Sequence, residues 1–218
     1  EVRESNRDRV WQDYGDIITT RPVDKRENFI KRCVGIAGDN IQIINGKLMI
    51  NGKPEDYFPK AERFYSLQLP PGTFMEIEQL AEKLKEFGIH VRLSQQDIRQ
   101  VNNNLYHVNI TNEEKKNLKL PLPGGYVLAD VISTHTPDLF PYYSDSTGRS
   151  WSADNYGPLW IPKKGGNIPL TPDNIIRYQR CIEVYEGNTF ENRGGKYFIN
   201  GKEAASYTFK MDYYWLMG

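Results

Sequence analysis

The chain has 218 residues, with 28 lysines and arginines against 28 aspartates and glutamates, and 39% of its residues are hydrophobic. Zero formal net charge excludes the basic surface of a nucleic-acid binder, and the ordinary apolar share excludes a disordered tail; the length allows one large domain or two small ones. No run approaches the eighteen or so apolar residues of a membrane span, and no charged start leads into an apolar core as in a signal peptide, so the chain is expected to be soluble.

Residues 1–13 are charged and aperiodic, with Trp11 the large apolar anchor, and are expected to form an irregular arm. A short strand is expected over 17–20 and a polar connection carrying Pro22 over 21–27. Residues 29–36, F-I-K-R-C-V-G-I, read as a strand that runs into a turn at Gly38 and Asp39. Alternation puts Lys31 on one face with Phe29 and Cys33, and Ile30, Arg32 and Val34 on the other. A lysine among apolar neighbours has two readings. It either snorkels, with its stem over apolar surface and its ammonium in water, or is desolvated enough to act as a general base. Beyond the turn, Asn45-Gly46 and Asn51-Gly52 flank short apolar runs and predict tight hairpins.

From residue 61 the pattern changes to helix alternating with strand. Thr73 with Glu76 reads as a capping box ahead of Phe74, Ile77, Leu80, Leu84 and Phe87, with Gly88 as the stop. Ser94 with Asp97, and Thr111 with Glu114, read as the starts of two shorter helices. Strands are expected over 64–69, 89–93 and 105–110. Residues 61–120 are therefore expected to form a small α+β insertion with its own core. Residues 121–172 hold eight of the 13 prolines, together with Trp151 and Trp160. This composition cannot supply central strands or long helices, and predicts an ordered connection wrapped over the core. Strands are expected to return over 175–184 and 197–209.

The hairpin block recurs. Arg180-Cys181-Ile182, Asn188, Gly195-Lys196 and Ile199-Asn200-Gly201-Lys202 repeat Arg32-Cys33-Val34, Asn40, Gly46-Lys47 and Ile50-Asn51-Gly52-Lys53, at an offset of 148 that becomes 149. Gln179 stands where the first copy has Lys31. Two such units are expected to share one sheet or barrel, giving a mainly β fold with a core of residues 1–60 and 173–218.

Few residues outside Lys31 point to chemistry. His90, His107 and His135 lack metal-ligand spacing, so neither metal nor cofactor is expected. No G-x-S-x-G elbow supports a conventional triad, and Gly35, Gly38 and Asp39 lack the helix a phosphate loop requires. Cys33 and Cys181 allow one bridge, or two small buried thiols.

F-I-K-R-C-V-G-I-A-G-D, followed by the Asn51-Gly52-Lys53 hairpin, resembles the lysine box of bacterial type I signal peptidases. Tyr14-Gly15-Asp16-Ile17-Ile18 resembles the box that precedes it, and the end of the chain, Tyr213 to Gly218, resembles the lead-in to the last box. The stretch W-S-A-D-N-Y-G-P-L-W-I-P-K-K-G from Trp151 is similar to an insertion in Bacteroidetes-type enzymes. The resemblance implies a signal-peptidase-like β core and a serine–lysine dyad with Lys31 as base. Asn28, Phe29 and Ile30 would line the substrate pockets, and Gly15, Asp16, Arg32, Gly35, Gly38, Asp39 and Gly218 would be motif residues. No S-M-x-P-T serine box precedes Lys31, and the last box is represented only by Gly218. The chain is thus expected to be an inactive internal piece of a periplasmic-facing, inner-membrane enzyme whose anchor lies elsewhere. Its partners would be signal peptides of exported preproteins, with no nucleic acid. In such a piece Lys31 is expected to be exposed until the missing segments pack over it. The competing expectation is a non-catalytic β-rich binding or scaffold module.

Overall fold

Antiparallel hairpins closed by glycine turns dominate the chain. The computed structural model describes residues 7–19, 30–55, 58–121, 124–134, 139–140 and 151–217. In chain order its elements are α1 (Arg7–Tyr14), β1 (Arg32–Gly35), β2 (Asn40–Ile44), β3 (Lys47–Ile50), β4 (Lys53–Pro54), β5 (Glu62–Gln68), α2 (Ile77–Glu86), β6 (Ile98–Asn102), β7 (Leu105–Thr111) and α3 (Asn112–Asn117). There follow β8 (Val127–Asp130), β9 (Asn155–Trp160), β10 (Asn167–Pro169), α4 (Pro172–Arg180), β11 (Phe190–Arg193), β12 (Lys196–Ile199), β13 (Lys202–Glu203), β14 (Ser206–Thr208) and β15 (Trp215–Met217). The fold is mainly β, as the sequence pattern predicts. Contacts divide it into two compact units, residues 1–34 with 216–218, and residues 35–215.

The first unit differs from expectation at its start. Residues 7–14 are helical rather than irregular, and of the strand expected over 17–20 none forms in the described residues 17–19: Gly15 closes the helix by donating its N–H to Trp11 O at 2.9 Å, and a turn follows. An i,i+4 ion pair between Arg9 and Asp13, at 3.5 Å, supports that helix in a segment with no apolar periodicity to announce it. Among the described residues, the strand expected over 29–36 is confined to β1, which pairs with β15 in a two-stranded sheet.

In the second unit, β2 and β3 pair from Ile41↔Ile50 to Ile44↔Lys47, and β11 and β12 pair from Phe190↔Ile199 to Arg193↔Lys196. The Asn51-Gly52 turn has φ of 53° and 76°, and Asn200-Gly201 has 51° and 76°, the left-handed pair that a two-residue hairpin requires. The registers relate the two hairpins by a constant offset of 149, so Asp39, not Asn40, corresponds to Asn188. Ahead of the hairpins the repeat fails. Residues 172–180 form α4, which runs into a π-turn over Cys181–Tyr185, so Arg180-Cys181-Ile182 is helical where Arg32-Cys33-Val34 is strand. The hairpins themselves lie in separate sheets, β4-β3-β2-β9 and β11-β12-β13. The signal for α4 was Thr171 before Pro172: Thr171 Oγ1 accepts from Asn174 N at 3.2 Å, with proline at the first helical position. Tyr178 and Ile182 then fall on one buried face, a spacing that also passes for a β-branched run.

Residues 61–120 build one apolar cluster. Tyr65 and Leu67 of β5, Tyr106, Val108 and Ile110 of β7, and Leu80 and Leu84 of α2 are all buried in it. Helix α2 begins one turn later than Thr73 suggests, with Glu76 at its N-cap and the Gln79 side chain accepting from Glu76 N at 3.3 Å. No α-helix starts at Ser94. Leu93–Gln95 is a single 3-10 turn, because the Asp97 carboxylate is drawn inward to accept from Arg92 N and Nε, at 2.8 and 2.7 Å, and from Asn109 Nδ2 at 3.0 Å. Thr111 and Glu114 do cap α3 reciprocally.

Residues 121–172 are more than a connection. They supply β8, β9 and β10, each at a sheet edge, where proline's missing N–H is tolerated. Trp151, Tyr156, Leu159, Ile168 and Leu170 enter a second apolar cluster with Tyr178, Ile182, Tyr207 and Phe209. Trp151 and Tyr156 meet edge to face, with ring centroids 4.5 Å apart. Strand β9 bulges against β2 between Ile41 and Ile43, and Gly157 sits in that bulge with φ 82°. A Cβ there would lie 2.6 Å from Ile41 O.

Gly157→Ala combines a left-handed backbone with a backbone clash and is expected to destabilise the protein by roughly 2–4 kcal/mol. Gly165→Ala has φ 77° and nothing within 4 Å of the added methyl, and should cost only about 1 kcal/mol. Urea unfolding of both variants measures the difference. A pH experiment tests Asp97. Burial pushes its carboxyl up, but hydrogen bonds from Arg92 and Asn109 outweigh this and hold it below the ordinary 3.8. A depressed carboxyl stabilises the fold above its unfolded value and loses that contribution as pH falls through the folded one. Stability lost between pH 5 and about pH 3 should therefore be smaller in Asp97→Asn than in the parent, read from denaturant midpoints.

Candidate active site

Lys31 stands one residue before β1. It is exposed, as are Arg32 and Cys33, and the preceding Ile30 is 96% exposed. Among the described residues no hydrogen bond or ion pair holds the Lys31 ammonium. The apolar face expected around it is thus open: a two-stranded sheet buries little by itself. Asn28, Phe29 and Gly218 lie outside the described residues. Gly15 and Asp16 occupy the turn that ends α1.

The other residues singled out with Lys31 have structural duties. Gly35 is buried, and a Cβ on it would lie 2.5 Å from Ile161 Cδ1. Gly38, at φ 97°, donates its N–H to Ile161 O at 2.8 Å, and Ile161 N returns a bond to Asp39 O at 2.7 Å. Asp39 then closes the turn twice. Its Oδ2 accepts from Ile36 N at 3.0 Å, and its Oδ1 from Asn51 Nδ2 at 2.7 Å, while Asn51 Oδ1 accepts from Asn40 N at 2.9 Å.

The second hairpin carries the same clamp: Asn200 Nδ2 donates to Asn188 Oδ1 at 2.9 Å, and Thr189 N donates to Asn200 Oδ1 at 2.9 Å. Here the clamp extends into a hub that sequence reasoning missed. Asn188 Nδ2 donates to Ile182 O and to Tyr207 Oη, each at 2.8 Å, and Lys210 Nζ donates to Asn188 Oδ1 at 3.1 Å. Glu186 accepts from Tyr207 Oη, from Lys210 N at 2.9 Å and from Met211 N at 3.2 Å. Burial, then the hydrogen bond to Glu186, pushes Tyr207 up to about 12. Burial, then the Glu186 charge, pushes the Cys181 thiol up to about 11. Both groups stay protonated at neutral pH, so this hub orders the chain and offers no nucleophile. Its signal was available in Gly187-Asn188, which matches Gly38-Asp39 at the 149 offset.

Both cysteines are thiols, so they are not bridged. Among the described residues no three His, Cys, Asp or Glu side chains converge as metal ligands, and no helix is long and apolar enough to cross a membrane.

Comparison with known families gives one match. The model of the family described as signal peptidase, peptidase S26, matches residues 7–118, just over half of the chain, and spans the turn and hairpin just described. No curated protein and no solved structure matches the chain.

The clamp can be measured. Asp39→Ala, Asn51→Ala and the double variant form a cycle, and urea unfolding should give a coupling energy of about 1–2 kcal/mol. Asn51→Ala alone should cost more than Asp39→Ala, since alanine must also adopt the left-handed backbone.

Proposed function

This chain belongs to the signal peptidase family, peptidase S26, and on that premise we propose that Lys31 is the general base of a serine–lysine peptide hydrolase. Membership carries serine peptidase chemistry, membrane association and action on the signal peptides of preproteins. The observation that carries the finer reading is a division within the lysine box. Gly35, Gly38 and Asp39 each have a packing or hydrogen-bonding reason for their identity. Lys31 has none among the described residues, and a residue type without a structural duty beside residues that have one supports a chemical role.

In the proposed reaction the neutral Lys31 amine accepts the proton of a serine hydroxyl as its oxygen attacks the scissile carbonyl. The tetrahedral intermediate expels the new amino terminus, which takes that proton from the lysine, and leaves an acyl-enzyme. Lys31 then deprotonates water, whose attack on the acyl-enzyme expels the serine oxygen; that oxygen takes the proton back from Lys31, and the signal peptide leaves with its new carboxyl terminus. Asn28, Phe29 and Ile30 precede the base on the chain and line the pockets beside an extended substrate. In this reading the serine hydroxyl, its oxyanion donors and the groups that orient the amine pack against Lys31 and desolvate it. The α+β unit of residues 61–120 is an insertion in that catalytic scaffold. The stretch from Trp151 supports a Bacteroidetes-type enzyme, anchored in the inner membrane with its catalytic part facing the periplasm.

In the complete protein, Lys31→Ala and Lys31→Arg should both reduce cleavage of a purified preprotein to background, because guanidinium stays protonated. The 218-residue chain alone should show no Lys31-dependent cleavage. Full activity of Lys31→Arg would refute the role of Lys31 as base, and Lys31-dependent cleavage by the chain alone would place the nucleophile among its own serines.

A further inference from the structure

Residues 35–215 enclose a cleft of about 320 Å³ between β9, β10 and α4, lined by Asn40, Pro158, Trp160, Asn174, Arg177 and Tyr178 among others. Its chemistry is asymmetric. The Arg177 guanidinium is half-buried and lies 5.3 Å from the centroid of the Trp151 ring, yet among the described residues it has no carboxylate partner and makes no hydrogen bond. The guanidinium rests on an aromatic face and on water rather than on a carboxylate, which leaves its N–H groups available to an anion. Around it the Asn167 amide spends both of its N–H donors and the Asn174 amide one of its two. Asn174 Nδ2 donates to Pro169 O at 2.9 Å, and Asn167 Nδ2, on the same wall, donates to Thr208 Oγ1 at 2.9 Å. Tyr178 Oη donates to Trp160 O at 2.9 Å. These bonds hold the two amides so that their Oδ1 atoms remain as acceptors. The rest of the wall is the flat apolar surface of Pro158 and Trp160.

One forked cation, two carbonyl acceptors and an aromatic wall suit a ligand with a carboxylate, a nearby N–H and an apolar side chain. We propose that this cleft binds the carboxyl-terminal end of a peptide with an apolar last residue. Arg177 takes the terminal carboxylate through its paired N–H groups, Asn174 or Asn167 accepts from the backbone N–H, and the last side chain rests on Trp160. The volume lies at the lower end of the small-ligand range, which fits a chain end of one or two residues rather than a strand passing through. Lys31 takes no part, so this site stands or falls independently of the proposed peptidase mechanism.

The test uses the isotope-labelled 218-residue chain and three probes followed by NMR: N-acetyl-Ala-Phe as the free acid, the same dipeptide as its C-terminal amide, and N-acetyl-Asp-Ala amide, which carries its carboxylate on a side chain. The free acid should shift the Trp160 indole and Arg177 Nε resonances saturably. Both amides should bind at least about tenfold more weakly, and Arg177→Gln should weaken the free acid by a similar factor while leaving amide resonances remote from the cleft unchanged. The acid and amide comparison needs no variant and decides the matter even if Arg177→Gln misfolds. Equal binding of acid and amide, or no shift by the acid at millimolar concentration, overturns the site. Equal binding of the aspartyl amide overturns the assignment to a chain end, and unchanged acid binding by a folded Arg177→Gln overturns the role of the guanidinium.

Discussion

The clamp that an asparagine amide forms across each hairpin mouth is the constraint on which the β structure rests. Asn51 bridges Asp39 and Asn40, and Asn200 bridges Asn188 and Thr189, while each asparagine also supplies the left-handed residue of its own turn. One side chain therefore fixes the turn geometry and the register at once. Short strands of four or five residues gain little from pairing alone, and a two-stranded ribbon is marginal in water. The clamps convert such ribbons into fixed frames onto which β9, and the segment after β14, can dock.

From those frames the consequences run outward. Asp39 O and Gly38 N exchange bonds with Ile161, which delivers the end of β9 and the buried Leu159 and Ile161 to the apolar interior. Asn188 ties its hairpin to the π-turn after α4, and Glu186 next to it collects the backbone N–H groups of Lys210 and Met211. A π-turn widens the helix by one residue, which lets its end meet a hairpin and a strand together. At the other end of the first hairpin, Arg63 of β5 reaches Asp154 Oδ1 at 3.0 Å, and Gly46 N donates to Asp154 O at 2.8 Å. The α+β segment thus meets the hairpin through a half-buried ion pair rather than through a shared sheet, in keeping with its having an apolar cluster of its own.

Family membership gives this frame a purpose. Within the lysine box, Gly35, Gly38 and Asp39 carry packing and turn-closing duties, and Lys31 precedes the strand that leads into that turn. Cys181 and Tyr207 supply no nucleophile, because burial raises both groups and keeps them protonated where a nucleophile would have to lose its proton.

The sequence by itself determined the local features that depend on a few adjacent atoms. Asn-Gly turns at 51–52 and 200–201, the Thr111 and Glu114 cap, the stop at Gly88, and the confinement of the proline-rich strands to sheet edges all follow from backbone sterics and one or two hydrogen bonds. Tertiary structure decided what local rules leave degenerate. Arg-Cys followed by a β-branched residue is strand at 32–34 and helix or π-turn at 180–182, because Thr171-Pro172 starts a helix in one place and β15 offers a pairing edge in the other. Asp97 forgoes a helix cap because distant Asn109 and adjacent Arg92 satisfy its carboxylate better in the interior. The carboxylate hub at Glu186 and the unpaired Arg177 in its cleft were invisible for the same reason: a charge acquires its meaning from the partners folding brings to it, or fails to bring, and these lie tens of residues away along the chain.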